Sequence, residues 1–111
     1  MKPLTTQTIA EFAGGRLVCG DANRLCRSVS TDSRKVQPDE VFVALVGEKF
    51  DGHAFLEQVA GAGAAALIVS RVPADAQALG CAVIEVPDTL TALQNLARSH
   101  REMLHPLVIG I

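Results

Sequence analysis

Three short apolar runs constrain the fold of this chain more than any other feature. Residues 41–46 read Val-Phe-Val-Ala-Leu-Val and are followed by a glycine, and residues 65–69 are followed by a serine. Residues 82–86 are apolar except for Glu85 and are followed by a proline. A short run that is apolar on both of its faces is typical of a strand that is covered on both sides, as in a parallel sheet. We therefore expect two buried strands at 41–46 and 65–69 and a third strand at 82–86.

The segment between the first two runs has the spacing of a helix. Residues 53–62 place their apolar side chains three and four positions apart, which is the period of one helix face. These side chains are Phe55, Leu56, Val59 and Ala60. Strand, helix and strand in this order predict a βαβ unit with two parallel strands.

The remaining segments add helices and strands around this unit. A first helix is capped by Thr5 or Thr6 and ends at two glycines, after which residues 16–19 and 26–31 have the pattern of short strands. Residues 70–80 are predicted to form a loop. A longer helix follows Pro87, and residues 107–111 begin another apolar strand. The fold class predicted by this pattern is α/β, with a mixed, partly parallel sheet and flanking helices.

Composition excludes several classes of protein. A net charge of −2 argues against a general nucleic-acid binder, and no apolar run approaches the roughly 18 residues that would insert into a membrane. The first residues lack the apolar stretch of a secretory signal, so we expect a cytoplasmic protein. The three cysteines and three histidines have no metal-ligand spacing, and no metal site is expected.

A polar loop, residues 28–35, interrupts the apolar segments and is the first candidate site. It gathers hydroxyl groups, one carboxylate and two cations. Hydroxyl groups donate hydrogen bonds to phosphate, and arginine adds a planar fork that matches it. The alternative is an ordinary turn in which Asp32 accepts hydrogen bonds from backbone amides.

A second loop, residues 47–53, is the other candidate site. Gly47 and Gly52 allow close approach of a ligand to the backbone, and Phe50 could stack on a flat ring. Asp51 and His53 are candidates for acid–base chemistry or, alternatively, for caps of the helix that follows. Neither loop contains the glycine pattern of an ATP phosphate loop.

Taken together, the two loops carry a family resemblance. The motifs S-T-D-S-R at 30–34, F-V-A-L at 42–45 and G-x-x-x-D-G-H-x-F at 47–55 resemble the N-terminal domain of bacterial Mur ligases. In that family, the strand that corresponds to residues 107–111 runs directly into an ATP phosphate loop. The resemblance implies that residues 1–86 form the domain that binds the UDP substrate and that residues 87–111 begin the central ATP-binding domain.

The resemblance also implies an activity for the parent protein. An ATP-dependent peptide ligase of this kind couples D-alanyl-D-alanine to UDP-N-acetylmuramoyl-tripeptide during peptidoglycan synthesis. The alternatives are a ligase that adds the third amino acid to the UDP-muramoyl-dipeptide, and a stand-alone module that binds a nucleotide sugar. The full-length ligase would use ATP and Mg²⁺ and the central and C-terminal domains of the same chain. The present chain by itself would bind no cofactor and would be inactive.

Within the first loop, the family motif falls on Thr31 and Ser33, which correspond to positions that contact the nucleotide. Ser33 is the better candidate for a hydrogen bond to the pyrophosphate. Arg34 either neutralises the pyrophosphate or pairs with Asp32. These roles are expectations from the resemblance.

Within the second loop, three consecutive residues fall where the family contacts the uridine part of the substrate: Glu48, Lys49 and Phe50. Side chains vary at these positions, so contacts from the backbone are expected to matter more than residue type. One departure from the family pattern lies outside both loops. Asp39 stands where the family commonly has glycine, so we expect a tightened or reshaped turn there.

Overall fold

The computed structural model describes residues 4–48 and 51–99, and its centre is a five-stranded sheet. The strands are β1 (Leu4–Thr5), β2 (Arg16–Cys19), β3 (Leu25–Cys26), β4 (Ser28–Ser30), β5 (Glu40–Val43), β6 (Ala66–Val69) and β7 (Ala82–Glu85). The sheet has the order β2-β7-β6-β5-β4, in which β4 to β7 are parallel and β2 is antiparallel to β7. β1 and β3 form a separate antiparallel pair. The predicted α/β class with a mixed, partly parallel sheet is confirmed.

Helices cover both faces of the large sheet and make three layers. They are α1 (Thr6–Ala13), α2 (Leu56–Gly61) and α3 (Thr89–Ser99). α1 and α3 pack on one face, where Ile9 and Leu96 meet Ile68 and Ile84 in one apolar core. α2 packs on the other face. Its apolar core includes Phe42, Leu56, Val59, Leu67 and Val83.

β5 shows why the runs are apolar on both faces. Val41 and Val43 belong to the core under α1 and α3, whereas Phe42 between them belongs to the core under α2. Side chains alternate across a strand, so a strand with helices on both faces needs apolar residues at every position. The predicted βαβ unit is β5, α2 and β6, and its two strands are parallel as expected.

The caps of α1 agree with the prediction. The Thr5 side chain accepts a hydrogen bond from the Thr8 N–H, and Gly14 ends the helix at a φ of 75°. A hydroxyl at the N-cap satisfies one of the free amides of the first turn, and glycine adopts the left-handed conformation at little cost.

Three segments differ from the prediction. Residues 26–31 do not form one strand, because β3 and β4 are separated at Arg27, whose N–H donates to the Asp39 carbonyl. The run 41–46 leaves the sheet after Val43: the Leu45 N–H turns back to the Val43 carbonyl, and Val46 is 59% exposed. Residues 70–80 contain a short 3₁₀ helix, Ala76–Leu79, and the strand predicted at 107–111 lies outside the described residues.

The turn before β5 carries the departure from the family pattern. Asp39 has a φ of 68°, in the left-handed region where glycine is favoured and aspartate is among the better-tolerated alternatives. Its N–H donates to the Gly63 carbonyl at 2.9 Å, and its side chain pairs with Arg24 at 3.2 Å. The turn therefore keeps the conformation that glycine would adopt, and the ion pair is an interaction that glycine could not make.

No helix in the described parts of the chain is both long enough and apolar enough to span a lipid bilayer.

Candidate functional site

The two candidate loops lie at the same edge of the sheet. Residues 31–34 follow β4, and residues 44–53 follow β5. Ser70 and Arg71 follow β6. Because these three strands are parallel neighbours, their carboxyl ends meet at one edge, which is where open α/β sheets bind ligands.

The first loop is a turn held by its own polar groups. The Lys35 N–H donates to the Asp32 carbonyl at 3.0 Å, and the Ser30 hydroxyl accepts from the Asp32 N–H at 3.2 Å. The Asp32 carboxylate accepts from the Arg34 N–H at 2.9 Å and from the Arg34 Nε at 3.3 Å. The expected alternative, a turn in which Asp32 accepts from backbone amides, is therefore present in this loop.

These contacts also set the charge of the loop. The Arg34 N–H, followed by its guanidinium, holds the pKa of the Asp32 carboxyl below its ordinary value. Of the two roles expected for Arg34, the pairing with Asp32 is present. The Arg34 side chain is still 81% exposed, so this pairing leaves most of the guanidinium open to a ligand.

The first loop forms one wall of a groove of about 670 Å³. This size lies within the range of roughly 300–1,000 Å³ that is typical of small-molecule sites. Three of the expected site residues are brought together there: Thr31, Ser33 and Arg34. Ser33 is buried, whereas Thr31 is half-buried. The turn and the anion site are thus compatible interpretations of the same residues.

Two further residues line the same groove, and the sequence did not identify them as site residues: Phe55 and Gln58. Phe55 is half-buried and was expected to face the core, and Gln58 is an exposed residue of α2. They are three positions apart on helical backbone, which places both on one side of the segment. This spacing was the one feature of the sequence that could have indicated Phe55 and Gln58. It indicates a site only when the first loop is known to line the same groove.

The second loop is closed at its base. Val46 and Asp51 form an isolated antiparallel bridge, and the Gly52 N–H donates to the Leu45 carbonyl at 2.8 Å. A Cβ at Gly52 would lie 2.8 Å from the Ala44 Cα, so only glycine allows this approach of two backbone segments. Glu48 is exposed and is not part of the groove wall, and Lys49 and Phe50 lie outside the described residues.

A hydrogen-bonded group joins the base of the second loop to the end of β6. The Asp51 carboxylate accepts from the His53 N–H at 2.9 Å and contacts the His53 Nδ1 at 2.7 Å. The His53 Nε2 accepts from the Ser70 N–H at 3.1 Å. Arg71 forms an ion pair with the other oxygen of Asp51. Since Nε2 acts as an acceptor, Nδ1 carries the proton and donates it to Asp51.

This geometry shows the capping role that was one of the two expected for Asp51 and His53. Asp51 caps the 3₁₀ helix that follows it, as the structural alternative predicted. Asp51, His53 and Ser70 are arranged as in an Asp-His-Ser hydrolytic triad. The lone pair of the His53 Nε2, however, accepts the Ser70 N–H. The Ser70 hydroxyl lies farther away, at 3.5 Å. His53 is therefore not placed to remove a proton from Ser70.

The Asp51 carboxyl makes the stability of the chain depend on pH. Hydrogen bonds from the His53 N–H, the His53 ring and Arg71 lower its pKa to about 2, although burial opposes the shift. In the unfolded chain the pKa is about 4, so the stabilisation is complete above that pH and is lost as the pH falls through about 2. We expect Asp51→Asn to be less stable than the wild type at neutral pH. This difference should shrink over the acid range in urea unfolding; a difference that is independent of pH would contradict the assignment.

The cysteines behave as small apolar residues. Cys26 and Cys81 are buried, and Cys19 is half-buried. Burial raises the pKa of the Cys26 thiol to about 12 and also raises that of Cys81. Within residues 4–48 and 51–99, no three His, Cys, Asp or Glu side chains are grouped closely enough to hold a metal ion.

Comparison with known proteins links these loops to one family. The family model described as "Mur ligase family, catalytic domain" matches residues 26–101. The UDP-N-acetylmuramoyl-tripeptide–D-alanyl-D-alanine ligase of Bacillus subtilis is 42% identical over 109 residues, which are 96% of this chain and 23% of that relative. The crystal structure of MurF from Acinetobacter baumannii superposes with a TM-score of 0.77 at 34% identity and covers 92% of this chain.

The ligases that add the third amino acid, which were the alternative expected from the sequence, match a shorter part of this chain. The UDP-N-acetylmuramoyl-L-alanyl-D-glutamate–2,6-diaminopimelate ligase of Gloeobacter violaceus is 39% identical over 72 residues, or 65% of this chain. The similarity to the D-alanyl-D-alanine ligases therefore extends over more of the sequence. The chain spans 23% of the length of the Bacillus relative and 22% of the Acinetobacter structure.

Proposed function

The chain belongs to the Mur ligase family, and on that premise we propose that it is the N-terminal, substrate-binding part of an ATP-dependent ligase. The parent enzyme adds D-alanyl-D-alanine to UDP-N-acetylmuramoyl-tripeptide, and this part holds the UDP end of that substrate. The names of the relatives support the reaction, since those similar over nearly the whole chain carry this activity in their names. The observation that carries the assignment is the groove at the carboxyl edge of the sheet, which gathers Thr31, Ser33 and Arg34.

The chemistry of the first loop suits a pyrophosphate. The hydroxyl groups of Ser33 and Thr31 donate hydrogen bonds to phosphate oxygens, and the exposed Arg34 guanidinium adds positive charge. Arg34 serves both the turn and the ligand, because a guanidinium has five N–H donors and Asp32 uses only part of them. Ser33 is the central contact, since its buried position holds its hydroxyl in one place.

The base and ribose are then assigned to the rest of the groove. Phe55 and Gln58 line it together with the first loop and offer an aromatic ring and a neutral amide. Glu48, Lys49 and Phe50 remain the proposed contacts of the second loop with the uridine. This division assigns the charged part of the ligand to the first loop and the flat, neutral part to the second loop and to α2.

ATP chemistry is assigned to the rest of the parent enzyme. Mur ligases use ATP, and the present sequence has neither glycine pattern of a phosphate-binding loop, so we assign the ATP site to the central domain. We place the start of the central, ATP- and Mg²⁺-binding domain at residue 87. The substrate-binding part, residues 1–86, then has the central and C-terminal domains of the same protein as its partners.

An amide NMR titration tests this function. UDP-N-acetylmuramoyl-tripeptide is expected to shift the amides of residues 31–34 and 47–53, whereas ATP shifts none of them. Ser33→Ala should weaken binding about ten- to a hundredfold, because a hydrogen bond to a charged group is lost.

Thr91→Ala is the matched control, since it removes an exposed hydroxyl of α3 that, among the described residues, donates to the Asp88 carboxylate just before that helix. It should bind the substrate as the wild type does. Equal binding by Ser33→Ala and the wild type would contradict the assigned role of Ser33, and the absence of shifts in the wild type at millimolar substrate would contradict the proposed function.

A further inference from the structure

The groove beside the first loop contains one side chain that differs in chemistry from the others. Four of the lining residues form the first loop, residues 31–34, and two more are Phe55 and Gln58. Among the described residues that line the groove, Gln58 alone carries an amide. An amide offers an acceptor oxygen and donor N–H groups on one planar edge, a combination that neither the Asp32 carboxylate nor the Arg34 guanidinium offers.

The backbone that carries Gln58 is fixed by packing. Leu56 and Val59, which lie on α2 on either side of it, are buried in the core under that helix. The Gln58 carbonyl accepts the Ala62 N–H at 3.1 Å. The Gln58 side chain itself is exposed, and it makes no hydrogen bond to any other residue that the structure describes. Its amide is therefore available to a ligand from a fixed position on the groove.

The other groups of the groove are less suited to select a base. The Asp32 carboxylate accepts hydrogen bonds from the Arg34 N–H and from its guanidinium. The hydroxyl groups of the first loop and the exposed part of Arg34 are the proposed contacts of the pyrophosphate. An aromatic ring such as that of Phe55 stacks on any base, because every base has a flat face, so stacking adds affinity with little selection. Selection of the base is therefore left to the Gln58 amide.

We propose that Gln58 is a specificity residue that recognises the uracil of the nucleotide by pairing with its imide edge. This inference rests on the proposed function. The Gln58 amide oxygen accepts the uracil N3–H, and the Gln58 amide nitrogen donates to one of the two adjacent uracil carbonyl oxygens. A base that lacks the N3–H leaves the Gln58 oxygen without a donor, and an unsatisfied acceptor in a bound complex lowers the affinity.

Calorimetric titrations with UDP and with N3-methyl-UDP test this pairing. The wild-type chain should bind N3-methyl-UDP about tenfold more weakly than UDP, because the methyl group replaces the donor that Gln58 accepts. Gln58→Ala should bind UDP about three- to tenfold more weakly than the wild type and should bind the two nucleotides within about twofold of each other. Alanine is the strongest helix former, so α2 is kept in this variant. A purely structural role of Gln58 would not remove the discrimination between the two nucleotides.

Gln94→Ala is the matched control. Gln94 is an exposed glutamine of α3 and is not among the described residues that line the groove, so this variant should bind both nucleotides as the wild type does. Equal binding of UDP and N3-methyl-UDP by the wild type would overturn the inference, and so would discrimination that persists in Gln58→Ala. Either result, together with weaker UDP binding by Ser33→Ala, would leave the proposed function standing. A wild-type chain that binds no UDP would overturn both.

Discussion

Replacing Gly20 by alanine is expected to lower the free energy of unfolding by about 2–5 kcal/mol, as the sum of a steric clash and backbone strain. Gly20 follows β2 at a φ of +101°, and a Cβ there would lie 2.4 Å from the Ala82 Cα at the start of β7. The contact is with backbone, so rotation of a side chain cannot relieve it. Urea unfolding followed by circular dichroism measures the loss.

Substitutions at two other glycines separate the contribution of backbone strain from that of the steric clash. Gly80 has a φ of +78°, but no described residue beyond its chain neighbours comes within 4 Å of where a Cβ would lie, so Gly80→Ala should cost only the strain, about 1–2 kcal/mol. Gly61 is helical with equally open space, and Gly61→Ala should stabilise the chain by about 0.5–1 kcal/mol. A Gly20→Ala variant no less stable than Gly80→Ala would show that β7 yields to the added methyl group.

Phe42→Ala should destabilise the chain by about 3–5 kcal/mol, because it empties the centre of the core under α2. Phe42 is the largest of the fully buried side chains and is 0% exposed. It lies on β5, between the two candidate loops in the sequence, and packs in the same core as Leu56, Val59 and Leu67. The lost contacts and the remaining cavity both contribute to the cost, which thermal and urea unfolding would measure.

Leu90→Ala is the control for loss of a large apolar side chain. Leu90 lies at the start of α3 and is 51% exposed, so its truncation should change stability by no more than about 0.5 kcal/mol. If Phe42→Ala cost no more than Leu90→Ala, the core under α2 would have to collapse onto the vacated space.

The sequence predicted the parts of the fold in which local pattern and burial agree. β5, β6 and β7 and the caps of α1 follow from apolar runs and glycines whose meaning does not depend on distant residues. Val46 was misplaced because its apolar side chain continues the run, whereas the backbone turns back at Leu45. The separation of β3 from β4 depends on Asp39, which is distant in sequence from Arg27.

Prediction of the candidate site was limited in the same way, by contacts between residues that are distant in the sequence. Thr31, Ser33 and Arg34 were predicted because their loop has phosphate-binding chemistry and because the family resemblance places Thr31 and Ser33 at nucleotide-contacting positions; all three line the groove. Phe55 and Gln58 were missed because their helical spacing is also that of a packed helix face. The acceptor role of His53 depends on Ser70, 17 positions away, and only the parallel pairing of β5 with β6 brings the two together.

The parallel order of β4, β5 and β6 has a consequence for how the site forms during folding. Ser28 pairs with Glu40 and Val41 pairs with Ala66, so both pairings require crossover segments to close before the strands align. The edge that carries the candidate site therefore does not exist in any one segment of the unfolded chain, and it is completed together with the sheet. The proposed nucleotide would have nothing to bind until late in folding, so its stabilising effect should appear as slower unfolding and leave the folding rate nearly unchanged.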